Sequence, residues 1–187
     1  MRKLSFLISV LAVVFTLSAF TSPTGKLVST KVHIKFFSST PAEDIQASNN
    51  TTVSVIHTET GNVVFSVPMQ GFEFEKSLMQ KHFNSRKFLD TKEFPKAKLK
   101  GKITNISQID FQKDGVYQAS IEGEMVIKGV SKPINEKGTV SVKSGKIEVK
   151  SKFNITLSDY GITFVKGKPS SNIAKTVEVS VQAEYQL

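Results

Sequence analysis

The side chains able to do chemistry are few in this chain of 187 residues, and they stand apart. Three histidines, His33, His57 and His82, fall in three different stretches without His-x-His or HExxH spacing, which is not the pattern of a dedicated metal site. No cysteine is present, so the chain has no disulfide, no thiolate ligand and no lipid-modified cysteine behind a leader. Gly167-Lys168 glances at a phosphate loop, but Gly161 lies one position too far upstream and Pro169 stands where a magnesium-binding Ser or Thr belongs. There is no G-x-S-x-G or G-x-G-x-x-G, and Glu122 and Glu124 fall on the polar side of an alternating strand, away from any pocket. Catalysis and a resident cofactor are therefore not expected. His33 and His57 read as strand-surface residues. His82 has two readings, a hydrogen bond to a ligand headgroup or a structural one.

What stands out instead is aromatic. The stretch Met79 to Gly101 is polar and basic, yet it carries Phe83, Phe88 and Phe94. Spacings of five and six match neither a helix face nor a strand face, so these rings must anchor something irregular.

The elements around them are mostly strands. From Lys26 onward the dominant period is two: Tyr117, Ala119, Ile121, Gly123, Met125 and Ile127 share one face of 116–128, with Gln118, Ser120, Glu122 and Glu124 on the other. Residues 146–157 and 176–187 repeat the pattern. Shorter strands are expected at 32–37, 45–49, 52–57, 63–68, 98–106 and 134–142, separated by turn-formers such as Lys113-Asp114-Gly115 and Ser144-Gly145. One short helix is expected over 76–84, with Leu78, Met79, His82 and Phe83 on one side. Strands of twelve or more residues suit a strongly tilted up-and-down barrel better than an immunoglobulin-type sandwich, which would also want a Cys–Trp–Cys core. The fold class is all-β: an antiparallel barrel of about eight strands, one short helix and an irregular plug pegged by phenylalanines. Small inward residues such as Ala47, Gly101, Ala119, Gly123 and Ala183 either leave room for a ligand or fill the taper and mark bends.

The ends and the charge complete the outline. Met1-Arg2-Lys3 followed by the apolar run Leu4 to Leu17 has the layout of a secretory signal peptide, and the run is short of the roughly 20 residues of a transmembrane helix. Residues 1–22 are read as that leader, removed on export, and 23–187 as a single domain. Without Arg2 and Lys3, 23 basic side chains face 16 acidic ones. Lys76 to Lys102 alone holds nine basic residues against Asp90 and Glu93, so the whole excess sits around the phenylalanines.

Three blocks resemble the YceI-like family of exported lipid-binding proteins. His82-Phe83-Asn84, Phe88-Leu89 and Phe94-Pro95 leading into a strand resemble its central signature. Gly123 to Ile134, with Lys128-Gly129-Val130-Ser131-Lys132-Pro133, is similar to its strand-then-turn block, and Phe153-Asn154-Ile155 through Ser158-Asp159-Tyr160-Gly161-Ile162 to its late strand and turn. The opening strand, Thr30 to Ser38, is shorter than in better-known members, as in a trimmed subgroup. The resemblance implies a lipocalin-like barrel whose lumen holds a long apolar molecule, an isoprenoid or isoprenoid quinone, in the periplasm or outside the cell. The residues expected at lumen and mouth are Phe65, Phe72, Phe74, Leu78, Met79 and His82. To these are added Phe83, Phe88, Phe94, Ala119, Ile121, Met125 and Phe153. The basic segment 76–102 either docks the mouth on anionic headgroups or serves as a solvated face. A homodimer is one possible assembly, and nucleic acid is not an expected partner, because the basic cluster lacks aromatics at strand spacing for stacking. The rival reading is a packed barrel serving as a stress-related or surface interaction module without a small ligand. A continuous apolar cavity favours the carrier, and a filled lumen the rival.

Overall fold

The computed structural model describes residues 25–41, 43–163 and 174–187. The leader read at 1–22 and the pair Gly167-Lys168 lie outside the described residues. In chain order the elements are β1 (Lys26–Ser29), β2 (Lys31–Ser39), β3 (Asp44–Asn49), β4 (Val53–His57), β5 (Asn62–Pro68) and β6 (Phe72–Phe74). They continue with α1 (Ser77–Asn84), β7 (Lys96–Ile103), β8 (Gly115–Ile127), β9 (Val130–Lys143), β10 (Lys146–Thr156) and β11 (Thr176–Gln186).

The eleven strands form one antiparallel sheet in the order β1-β4-β5-β7-β8-β9-β10-β11-β2-β3-β6. Only Thr30 separates β1 from β2, yet β1 pairs with β4 while β2 pairs with β11. That bent strand stitches the first position of the order to the ninth and curls the sheet into a barrel. The Ser29 hydroxyl donates to the Glu184 carbonyl across the join, and the Ser54 and Tyr185 hydroxyls, from β4 and β11, meet at 2.6 Å. About eight strands were expected, and eight staves do form the wall once β1–β2 is counted as one. The strands β3 and β6 extend the sheet past the join, so the order is not purely up-and-down.

Two hairpins have turns of the same kind. Ile127 pairs with Val130 around Lys128 and Gly129, whose φ values are 49° and 76°. Lys143 pairs with Lys146 around Ser144 and Gly145, at 49° and 77°. Positive φ at both central residues is the type I′ geometry that matches strand twist, and glycine takes it without a Cβ penalty.

The two ends of the barrel differ. At the end holding the β1–β4 join, Ile56, Val63, Ile103, Val140 and Ile147 are essentially inaccessible, and Ile109 and Phe111 from the β7–β8 connection are buried among the same core. Each such side chain contributes about 1.5–3 kcal/mol by leaving water. Ala119 and Ala183, 1% and 0% exposed, belong to this packed end, so these small residues fill the taper. Gly101 and Gly123 face each other across β7 and β8, where a Cβ on Gly123 would lie 2.4 Å from the Gly101 Cα and 2.3 Å from the Lys100 carbonyl oxygen. The backbones can approach this closely only because both residues lack side chains.

Candidate binding cavity

The opposite end is hollow. A cavity of about 550 Å³ opens there, within the ~300–1,000 Å³ range of small-molecule sites. Its walls are inward residues of the long strands: Ile34 and Phe36 on β2, Phe65 and Val67 on β5, Leu99 on β7, Ile121 and Met125 on β8, Val149 and Phe153 on β10, and Val179 and Val181 on β11. The strand period dictates this, since every second side chain on a curled sheet faces the axis.

The roof is aromatic and comes from α1, β6 and the segment 85–95. Phe83 on α1 is 8% exposed; its ring stacks on Phe36 at 5.8 Å and meets Phe72 at 5.5 Å, Phe74 at 5.0 Å and Phe88 at 6.4 Å. Phe72 and Phe74 alternate onto the inner face of β6, which is held in place by pairing with β3. The connection after the helix is not regular, but its backbone is satisfied locally. The Phe88 and Asp90 amides donate to the Ser85 carbonyl at 2.9 Å, Leu89 N to Phe83 O at 3.3 Å, and Phe94 N to Asp90 O at 2.8 Å. Thr91, 1% exposed, donates its hydroxyl to the Asn84 side-chain oxygen at 2.9 Å.

Ten of the thirteen expected lumen and mouth residues line this cavity: Phe65, Phe72, Phe74, Met79, His82, Phe83, Phe88, Ile121, Met125 and Phe153. Three do not. Leu78 is 60% exposed, because the buried line of this two-turn helix runs through Phe83 and Met79 and leaves position 78 to solvent. Phe94 turns away to the β8–β9 turn, with a ring carbon 2.8 Å from where a Gly129 Cβ would stand. Ala119 lies below the floor, in the packed end. The anchoring proposed for three rings thus falls to Phe83 and Phe88 inside and to Phe94 outside, clipped on the neighbouring turn.

Polar lining is sparse. Glu43 and His82 lie at the mouth; Glu43 pairs with Lys76 at 3.2 Å. The exposed His82 ring makes no hydrogen bond among the described residues, while its carbonyl accepts from the Ser85 hydroxyl at 2.7 Å. His33 is a surface residue with its Nδ1 2.7 Å from the Asn50 side-chain oxygen. Deep in the wall, Glu136 on β9 also faces the cavity. Sequence reasoning missed it, although the alternation Ile134, Glu136, Gly138, Val140, Val142 carries the signal. Burial holds its carboxyl above the ordinary carboxylate value. Among the described residues no group of three or more His, Cys, Asp or Glu converges as a metal site would require.

The wall has a seam. The β9–β10 ladder runs from the Ser144–Gly145 turn only to Gly138 and Ser151. Beyond that, β9 stays on β8 to Val130 and β10 stays on β11 to Thr156, with no pairing between them. The Ser151 hydroxyl donates to the Lys137 carbonyl at 2.7 Å where the strands part. Pro133, which has no N–H to give, sits in the stretch of β9 that pairs with β8 but has no partner on the β10 side, where a strand tolerates it.

An antiparallel barrel packed at one end and hollow, apolar and aromatic-roofed at the other is a lipocalin-like container. The profile of the YceI-like domain matches residues 12–185. The chain belongs to that family. Among solved structures it resembles a polyisoprenoid-binding domain from Saccharophagus degradans, at 13% identity and a TM-score of 0.72, over 87% of this chain and 98% of that one. It also resembles BcnA of Burkholderia cenocepacia, at 13% identity and a TM-score of 0.69, over 82% and 96%. The YCEI protein of Campylobacter jejuni matches at 14% identity and a TM-score of 0.55, over 100% and 93%. At such identities the likeness establishes the fold. No curated protein matches the chain in sequence.

Proposed function

We propose that this chain is an exported, non-catalytic lipid-binding protein that holds a long apolar molecule of isoprenoid or isoprenoid-quinone type in its cavity. The observation that carries the reading is the hollow end, a cavity of about 550 Å³ walled almost wholly by aliphatic and aromatic side chains. The similarity to a polyisoprenoid-binding domain supports the choice of ligand class. Affinity in such a cavity comes from removing apolar area from water at about 25 cal/mol per Å², so chain length should govern binding more than the headgroup does. Among the described residues no helix is long and apolar enough to cross a membrane. The leader-like residues 1–22 support a periplasmic or secreted location.

The roof segment and the adjoining strand β7 carry charge suited to loading from a membrane. All nine basic residues between Lys76 and Lys102 are exposed, and of these only Lys76 forms an ion pair among the described residues. Each contributes about 1 kcal/mol near an anionic surface before screening.

The test is native mass spectrometry on protein purified after expression of the full chain, followed by solvent extraction and identification of what is released. Expected is an added mass yielding one class of long apolar molecule, absent from a folded Ile121→Arg variant with the lumen blocked. Protein that stays bare after incubation with quinones and polyprenols would move the search for function to the outer surface.

A further inference from the structure

Two carboxylates line the cavity among the described residues, and they are placed differently. Glu43 is at the mouth, paired with Lys76. Glu136 lies on β9 directly opposite Ile121 of β8, six positions along the strand from Val130 at the turn. At about 3.3 Å per residue that is roughly 20 Å along a strand tilted to the barrel axis, which puts the carboxyl well below the rim. Its side chain makes no hydrogen bond and no ion pair among the described residues, and the lining beside it includes Ile121 opposite on β8 and Ile134 two positions along β9. A Val or Leu here would complete the wall at no desolvation cost. An acceptor set in an apolar wall without a protein donor is the arrangement by which binding cavities fix the orientation of a ligand.

We infer that Glu136 is the polar anchor of the cavity: as a carboxylate it accepts a hydrogen bond from a hydroxyl, or another O–H or N–H donor, at one end of a long apolar ligand. The chain of that ligand then runs from the floor up to the Phe-lined roof. The inference deepens the carrier reading and rests on it. It also makes the cavity selective. Placed against Glu136 rather than beside Lys87 and Lys98 of the same lining, a phosphate head would meet a like charge, and a quinone, which carries only acceptors, would gain nothing from the carboxylate. An alcohol, a phenol or a primary amide satisfies it. The seam beside Glu136 supports this orientation, because water reaching the carboxylate between β9 and β10 lessens the cost of keeping it charged in the unliganded protein.

The experiment is titration calorimetry with two probes of one chain length, geranylgeraniol and its methyl ether, against the wild-type protein, Glu136→Leu and Glu136→Gln. The wild type is expected to bind the alcohol about tenfold more tightly than the ether. Glu136→Leu should bind both alike, at the ether's affinity or better, and Glu136→Gln, whose neutral oxygen is a weaker acceptor, should keep an intermediate preference. If Glu136→Leu does not give a cooperative melt, Glu136→Gln alone carries the comparison. Equal binding of alcohol and ether by the wild type, or an undiminished preference for the alcohol in the variants, overturns the anchor while leaving the carrier reading standing. Failure of the wild type to bind either probe overturns both.

Discussion

Replacing Phe83 by alanine tests the roof. Its ring is 8% exposed and touches Phe36, Phe72, Phe74 and Phe88. Phe→Ala changes in cores cost about 3–5 kcal/mol, the upper part of that range coming from the void left behind. Here one side of the ring already borders a cavity, so the lower end applies, about 3 kcal/mol. For a domain of this size each kcal/mol lowers the melting temperature by about 2–4 °C, giving a fall of about 6–12 °C. Calorimetric melting measures it, and the comparator sits on the same helix. Leu78→Ala removes a side chain that is 60% exposed and should change stability by no more than about 0.5 kcal/mol. The reasoning fails if Phe83→Ala melts within about 2 °C of the wild type, or if the two variants fall equally.

Other outcomes follow from single contacts. Ile121→Arg should block the lumen yet remain folded, since opposed residues on paired strands have Cβ atoms about 4.5–5.5 Å apart and Glu136 is opposite. Adding Glu136→Gln should then cost about 2 kcal/mol more in urea unfolding, less than the 3–5 of a fully buried pair because Glu136 is only partly buried. The Tyr185 phenol is pushed up to about 12, chiefly by burial, with the Ser54 hydrogen bond acting the other way. The unfolded chain therefore loses that proton near its ordinary value of 10 while the folded one keeps it. Stability should drop by about 2–3 kcal/mol as pH rises from 10 to 12, and the same series on Tyr185→Phe should lack that component. Gly123→Ala drives a methyl into Gly101 and should cost at least about 2 kcal/mol, whereas Gly161→Ala, at φ 64° with nothing nearby, should cost about 1 in the same chemical melts. At low salt, vesicles with anionic lipid should sediment the protein and neutral ones should not; equal sedimentation removes the docking role of 76–102.

The long strands were legible because alternation over ten or more residues leaves little choice of face; the Ser144-Gly145 turn announced itself through glycine, whereas the Lys128-Gly129 turn came only with the family resemblance. The strands β1 and β6 were not, having four and three residues, too few to show a period. β9 was expected to begin at Ile134; the strand starts at Val130 and takes in Pro133, which the missing β10 partner there lets stay. In the site, the large inward residues were readable, but depth was not. Ala119 and Ile121 have the same parity, and only the tilt of the barrel puts one in the packed end and the other on the cavity. Phe94 was misplaced because spacing says that a ring must be buried without saying against what. Glu136 escaped because its neighbours in the pattern made the face look uncharged.

The bent strand β1–β2 has a kinetic consequence. It joins β4, which lies close in sequence, to β11, whose register with β2 pairs Phe37 with Glu178 and Lys31 with Glu184. Closure therefore waits for β11 to be made, and it must meet the loop entropy of the chain between β2 and β11 before any contact across the join repays it. Until then the early strands form an open sheet with bare edges, dependent on remaining dilute or shielded. Trimming residues 176–187 would accordingly not shorten a wall by one stave; it would strip β2 and β10 of the strand that lies between them, leaving the barrel unclosed and the core exposed to water.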